Sequence, residues 1–265
     1  GLCVMGLSKL EVNFFFKTIA AAAVLGMVIY GLRALGLPVD TGIAAISALM
    51  VLVPGLVFTN FMCDLITGDM VSGLSTFVRA VLTATAIAIG TGVALGLFQT
   101  LGLAAEGVGN REDYGAVLQC LAAFLACSGF CVMYNVHGWG VVLCCLGGAL
   151  GWAVYLAMGM VTGSIYLRYL VAGIAIAAYA EAMARVRKYP ITAYLVVSFF
   201  PLVPGSYIYY AMYYAIQGQR QLFLESGIQA LGLASCLAIG TLLVSTTVRT
   251  CVTWRRERRM KRDTL

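Results

Sequence analysis

Charge is what this sequence has least of. Of its 265 residues, 11% are charged and 62% hydrophobic, and the mean hydropathy is +0.94. A soluble domain carries about a quarter charged residues, so polar surface is too scarce here to cover a globule in water. Histidine occurs once, as His137, and the nine cysteines include no Cys-x-x-Cys. No metal site is expected from that supply, and no disulfide framework. Cys63, Cys127, Cys144 and Cys236 fall inside apolar runs, where a free thiol acts as a small hydrophobe. The sequence shows no P-loop, catalytic triad, clustered nucleophile or cofactor motif. An ATP-driven pump, an intramembrane hydrolase or any other enzyme therefore has no support, and no cofactor is expected. There is no cleavable signal pattern either, and a multi-span protein needs none.

What the sequence has instead is apolar length. Runs near the ~20 residues needed to cross hydrocarbon recur along the chain. Eight spans are expected, roughly at 13–35, 42–66, 74–102, 114–134, 139–158, 163–186, 191–216 and 224–250. Short connectors with breakers and charges separate them: Gly36-Leu37-Pro38, Thr67-Gly68-Asp69, Glu106 to Asp113, Asn135 to Gly138 and Lys188-Tyr189-Pro190. Neighbouring helices are then antiparallel, with no soluble domain inserted. The fold class is an all-α polytopic transmembrane helical bundle.

The few charges are placed unevenly. Arg255, Arg256, Arg258, Arg259, Lys261 and Arg262 hold six of the 17 basic residues. A nucleic-acid surface is one reading of such a run. Directly after an apolar span, a cytoplasmic anchor against anionic lipid is the better one, and nucleic acid is not an expected partner. With that end inside, Arg185, Arg187, Lys188 and Lys9 fall inside too, while Arg33, Arg111 and Arg220 fall opposite. Both termini are then cytoplasmic, in a membrane of the bacterial inner type.

An internal repeat is the most informative feature. Leu52-Val53-Pro54-Gly55 returns as Leu202-Val203-Pro204-Gly205, an offset of 150 residues. Held without gaps over 52–91, that offset makes fourteen of forty positions identical, including Gly68/Gly218 and Ala88-Ile89-Gly90-Thr91/Ala238-Ile239-Gly240-Thr241. A looser echo precedes it, since Arg33 and Pro38 stand to each other as Arg185 and Pro190 do. The offset covers five spans, so the second copy should be inverted in the membrane. Inverted repeats are a recurrent plan of secondary transporters. Residues 1–110 form the first repeat with three spans, and 111–265 the second with five. The first copy is therefore incomplete, and two further spans are expected before residue 1, which is Gly and not Met.

Pro54-Gly55, Asn60, Asp64, Gly68-Asp69 and Ser72-Gly73, followed by a helix rich in small residues, resemble the membrane part of the first half of threonine/serine exporters. Asn135, Gly147 to Trp152 and Pro201-Leu202-Val203-Pro204-Gly205-Ser206 resemble the second half. The resemblance implies efflux of small hydrophilic acids driven by the proton-motive force. Members export threonine and serine, and a two-subunit relative exports succinate. The family's first half normally begins with a hydrophilic region and two more spans, which agrees with the repeat arithmetic.

Candidate site residues follow from both lines. Pro54-Gly55 and Pro204-Gly205 fall near the middle of their spans, where proline removes a donor and glycine loosens the backbone. Freed backbone groups at that depth are tolerated where protein or a water-filled cavity satisfies them; a packing kink is the bland alternative. Asn60 and Asp64 share one helical face. A carboxylate there could hold a proton or an amino acid's ammonium group, or it could be an interfacial residue paired with Arg79. Asp69 suits either the site or the cap of the next helix. The second copy has Tyr210 and Tyr214 at the positions of Asn60 and Asp64, so the carboxylate is not duplicated. Glu181 and Arg185 read as an interfacial ion pair, His137 as a surface residue, and Asn135 as a helix end.

The function expected is proton-coupled export of threonine and serine. The alternatives are export of a succinate-like dicarboxylate, or a membrane subunit that works beside a partner supplying the missing helices. The expected partners are thus a small amino acid or carboxylate, protons, membrane lipid and a second copy or other subunit.

Overall fold

The computed structural model describes residues 13–37, 44, 55–102 and 114–263. Among these, α1 runs Phe14–Ala34, α2 Gly55–Thr67, α3 Met70–Thr100, α4 Ala116–Met133, α5 Trp139–Val161, α6 Ile165–Arg187, α7 Ile191–Phe199, α8 Gly205–Ile216 and α9 Arg220–Asp263. A 3-10 turn, Phe200–Leu202, follows α7. No strand occurs among the described residues. Six helices are long and apolar enough to cross a membrane, and α7 with α8 makes a seventh if counted as one bent span. The protein is a polytopic helical membrane protein. The second expected span, 42–66, lies partly outside the described residues; its last part is α2.

Local chemistry sets the helix ends. The side chain of Asn13 accepts the Phe15 amide at 3.2 Å and opens α1. Asn135 takes φ 57° after α4, as its place in the sequence suggested, and Lys188 takes φ 55° after α6, two residues before Pro190. Inside the spans, hydroxyls bond back to carbonyls of their own helix: Thr18 to Phe14, Thr83 to Arg79 and Thr241 to Leu237, at 2.8 to 2.9 Å. This satisfies them where no water is at hand. No buried side-chain nitrogen or oxygen among the described residues lacks a partner.

The described residues form two compact units. One gathers α1, the beginning of α2, α3, α8 and the first turns of α9. There α1 and α3 pack through glycine: a Cβ at Gly90 would stand on the Ile19 carbonyl, 2.8 Å from the Ala22 Cβ and 2.9 Å from the Ala23 amide. Helix α8 lies on α3, with the Thr85 hydroxyl donating to the Met212 sulfur at 3.4 Å. Tyr209 of α8 is buried with Ala22, Ile29 and Ile87.

The other unit gathers residues 62–69, α4 to α7 with the 3-10 turn, and α9 from Gly232. Glycines make its core as well. A Cβ at Gly147 would strike the Ser198 hydroxyl, one at Gly148 the Cys127 sulfur, and one at Gly151 the Ile176 side chain. Ser198 is fully buried and donates to the Cys144 carbonyl at 3.1 Å. The thiols of Cys127 and Cys144 donate to the carbonyls of Val197 and Ala193. Helix α9 meets α6 at Gly240, where a Cβ would lie 3.0 Å from the Leu170 carbonyl and 3.1 Å from the Ile174 amide.

The 150-residue offset recurs in the backbone. The chain turns at Gly68 (φ +92°) and Gly218 (φ +71°), and long helices follow at Met70 and Arg220. Gly90 seats on residues 19–23 and Gly240 on 170–174. A left-handed turn and a close backbone approach both favour glycine, which is why these positions keep it in both copies.

Candidate functional site

The second Pro-Gly segment is a break in a helix. After α7 and the 3-10 turn, Val203 is extended (φ −62°, ψ 127°), Pro204 has ψ 42°, and α8 restarts at Gly205. Pro204 has no amide to continue the ladder from α7, and its carbonyl accepts the Ile208 amide at 3.3 Å, while the amides before Ile208 are, as in any first turn, without a carbonyl of their own helix. Pro204 and Gly205 are both buried. Pro54 lies outside the described residues.

Helices α2 and α8 carry different side chains. On α2, Thr59 and Phe61 are buried, and the Phe61 ring lies 4.8 Å from that of Phe77. Asn60 is exposed, and Asp64, one turn on along the same face, is half-buried. Below it the helix is closed tightly: the Thr67 hydroxyl donates to the carbonyls of Cys63 and Asp64, and the Asp69 amide to that of Asp64, all at 2.9 Å. Asp69 is exposed and directly precedes α3. Arg79, a conceivable ion partner of Asp64, has its guanidinium 5.7 Å over the Phe14 ring.

On α8 the face is a tyrosine ladder. Tyr210 and Tyr214 stack at 5.9 Å and 19°, and Tyr209 and Tyr213 at 6.1 Å and 26°. Tyr210 packs against the cluster of Ala22, Ile29, Ile87 and Tyr209. The Gln217 amide donates to the Tyr213 hydroxyl at 3.1 Å and closes the ladder. Tyr210 and Tyr214 are thus partners in one stack, which the sequence spacing allowed but did not require.

Other polar groups are absorbed structurally. Glu181 and Arg185 form the expected i,i+4 pair at 3.4 Å. His137 is exposed, its Nδ1 2.8 Å from the Asn135 carbonyl oxygen. No cluster of His, Cys, Asp or Glu among the described residues could hold a metal. Two features were missed in the sequence reading. Arg168 directs its guanidinium to the carbonyls of Thr162 (2.8 and 3.0 Å) and Gly159 (3.4 Å) at the end of α5. Gln119 receives the Trp152 indole N–H at 3.2 Å and donates to the Tyr114 carbonyl at 2.7 Å. A glutamine inside an apolar run was the available signal for it.

The motif positions of both halves now have structural roles. Gly68 and Asp69 form the turn after the first arm, Gly147 to Gly151 seat α5 against its neighbours, and Pro201 to Ser206 make the break. A family model described as putative threonine/serine exporter matches residues 1–98, and one described as Threonine/Serine exporter, ThrE, matches residues 119–247. The chain belongs to the threonine/serine exporter family. No curated protein and no solved structure matches it. The family is one of amino-acid transporters. Each of the two matched stretches contains one Pro-Gly segment.

Proposed function

We propose that the chain is a secondary transporter exporting threonine, serine and similar small hydrophilic amino acids in exchange for protons. The observation that carries this reading is the break at Pro204 within a chain of the exporter family. Broken helices in inverted-repeat transporters present helix N-termini to anionic substrate groups and unwound carbonyls to cations. On this reading the copies 1–110 and 111–265 are inverted, and Gly55 and Gly205 open the two site arms. The first-turn amides of α8 suit the amino acid's carboxylate. Asp64, with Asn60 beside it, takes the ammonium group or a proton in turn, and Tyr210 and Tyr214 line the opposite copy's arm. Asp69 holds the turn that follows Asp64. The protein then resides in an inner-type cell membrane with both termini cytoplasmic.

Counterflow in proteoliposomes with labelled threonine, serine and succinate, at imposed pH gradients, tests this. Exchange of threonine and serine that responds to the gradient is expected. Exchange of succinate alone would replace the proposal with dicarboxylate export, and exchange that ignores the gradient would remove the proton from it.

A further inference from the structure

Two prolines stand three residues apart at the second break, Pro201 and Pro204, whereas the first copy has Val51 at the place of Pro201. A proline offers no amide to the carbonyl four residues before it, and its ring pushes that carbonyl away from the helix. For Pro201 that carbonyl belongs to Val197. It turns instead to the Phe200 amide, in the tighter bonding of a 3-10 turn, and to the thiol of Cys127 on α4, which donates to it at 3.4 Å. Cys127 and Val197 are both fully buried. The surroundings are shaped for this contact. The Cys127 sulfur occupies the space that a Cβ at Gly148 would need, and the Pro201 ring borders the same space at 3.5 Å. One turn along α4 from Cys127, the Phe130 ring stacks on that of Phe200. Helix α7 has two more ties to α5, from the Cys144 thiol to the Ala193 carbonyl and from the Ser198 hydroxyl to the Cys144 carbonyl. Of these three bonds, only that of Cys127 meets a carbonyl whose helical donor is missing.

We propose that Cys127 is a positioning residue of the export site. Its S–H takes the place of the amide that Pro201 lacks, and so fixes the course of residues 200–203 up to the break at Pro204. A thiol is a weak donor, but inside a span no water is at hand to replace it. A small hydrophobe at position 127 could as well be alanine; a donor could not. The proposal rests on the reading of the break as the transport site, so the hydrogen bond and the transport are measured separately.

The full chain is compared in proteoliposomes as native protein, C127S, C127A, P201A and C127A/P201A. Among nine cysteines, the infrared difference between native and C127S isolates the S–H stretch of Cys127. It should lie at the lower frequency of a bonded thiol. In P201A, where residue 201 regains an amide for the Val197 carbonyl, it should move back toward the free value. In threonine counterflow, C127A should raise the half-saturating concentration about threefold, the scale of one weak net hydrogen bond, with the maximal rate nearly kept. C127S restores a donor of similar size and should return the native value. Placed on P201A, C127A should add little, because the carbonyl then has its helical partner. A free-thiol frequency in the native chain, equal effects of C127S and C127A, or the same threefold change on both backgrounds would overturn the proposal. Should C127A not insert, the infrared shift between native and P201A carries the same decision. A bonded thiol in a native chain that exchanges neither threonine nor serine would instead sink the reading of the break as the transport site, and the part of Cys127 in export with it.

Discussion

Helices α2 and α8 stand at equivalent places in the 150-residue offset and carry almost opposite chemistry. Each ends at a glycine with positive φ and is followed two residues later by a long helix. Yet where α2 has Asn60 and Asp64, α8 has two stacked tyrosines. The supporting helices show a milder asymmetry. Gly90 is pressed against the backbone of α1 more closely than Gly240 is against α6. At the 150-residue offset, glycine recurs where the backbone turns (68 and 218) or approaches a neighbour closely (90 and 240), while the side chains between differ. A scaffold can therefore be symmetric while its titratable group is single.

The largest expected effect separates the arms by chemistry. Asp64→Asn should abolish gradient-driven threonine efflux from cells while the protein still inserts, whereas Tyr214→Phe, at the equivalent position, should keep most of it. Loss in both, or in neither, would remove the distinction between the arms. Next comes the difference in close packing. Gly90→Ala should destabilise the fold by about 1–3 kcal/mol through overpacking, and Gly240→Ala by about 1 kcal/mol or less, because its neighbours need give only slightly. Unfolding of the purified variants in mixed detergent reads this ranking. A smaller change follows Trp152→Phe, which removes the indole donor to Gln119 and should cost about 1 kcal/mol in the same assay. The smallest belongs to Arg185→Ala. Its ion pair with Glu181 is solvent-exposed on the arginine side and should contribute under about 0.5 kcal/mol.

Much of the scaffold was legible in the sequence because its signals are coarse and repeated. Apolar length located the helices, and identity at fixed offset located the break at Pro204 and the turns at Gly68 and Gly218. The Glu181–Arg185 pair and the helix end at Asn135 followed from spacing and residue type alone. Other features depend on contacts between distant segments, which periodicity does not encode. Neither the seating of α8 on α3 through Met212 and Tyr209 nor the use of Gly147, Gly148 and Gly151 against Ser198, Cys127 and Ile176 leaves a local trace. Arg168 escaped notice for a related reason. A cation near a span end reads as a topology signal, and its satisfaction by the carbonyls of Thr162 and Gly159 is visible only once α5 and α6 are joined in space. The candidate site was legible by residue type, as one carboxylate beside one amide on one helix.

Proton coupling through that carboxylate is the central claim, and one measurement addresses it most directly. Threonine accumulation is followed in proteoliposomes holding either the native chain or Asp64→Asn at equal amounts of inserted protein, with and without an imposed pH gradient. The account predicts that the gradient drives accumulation in the native chain and has no effect in Asp64→Asn. Accumulation that follows the gradient equally in both would contradict it.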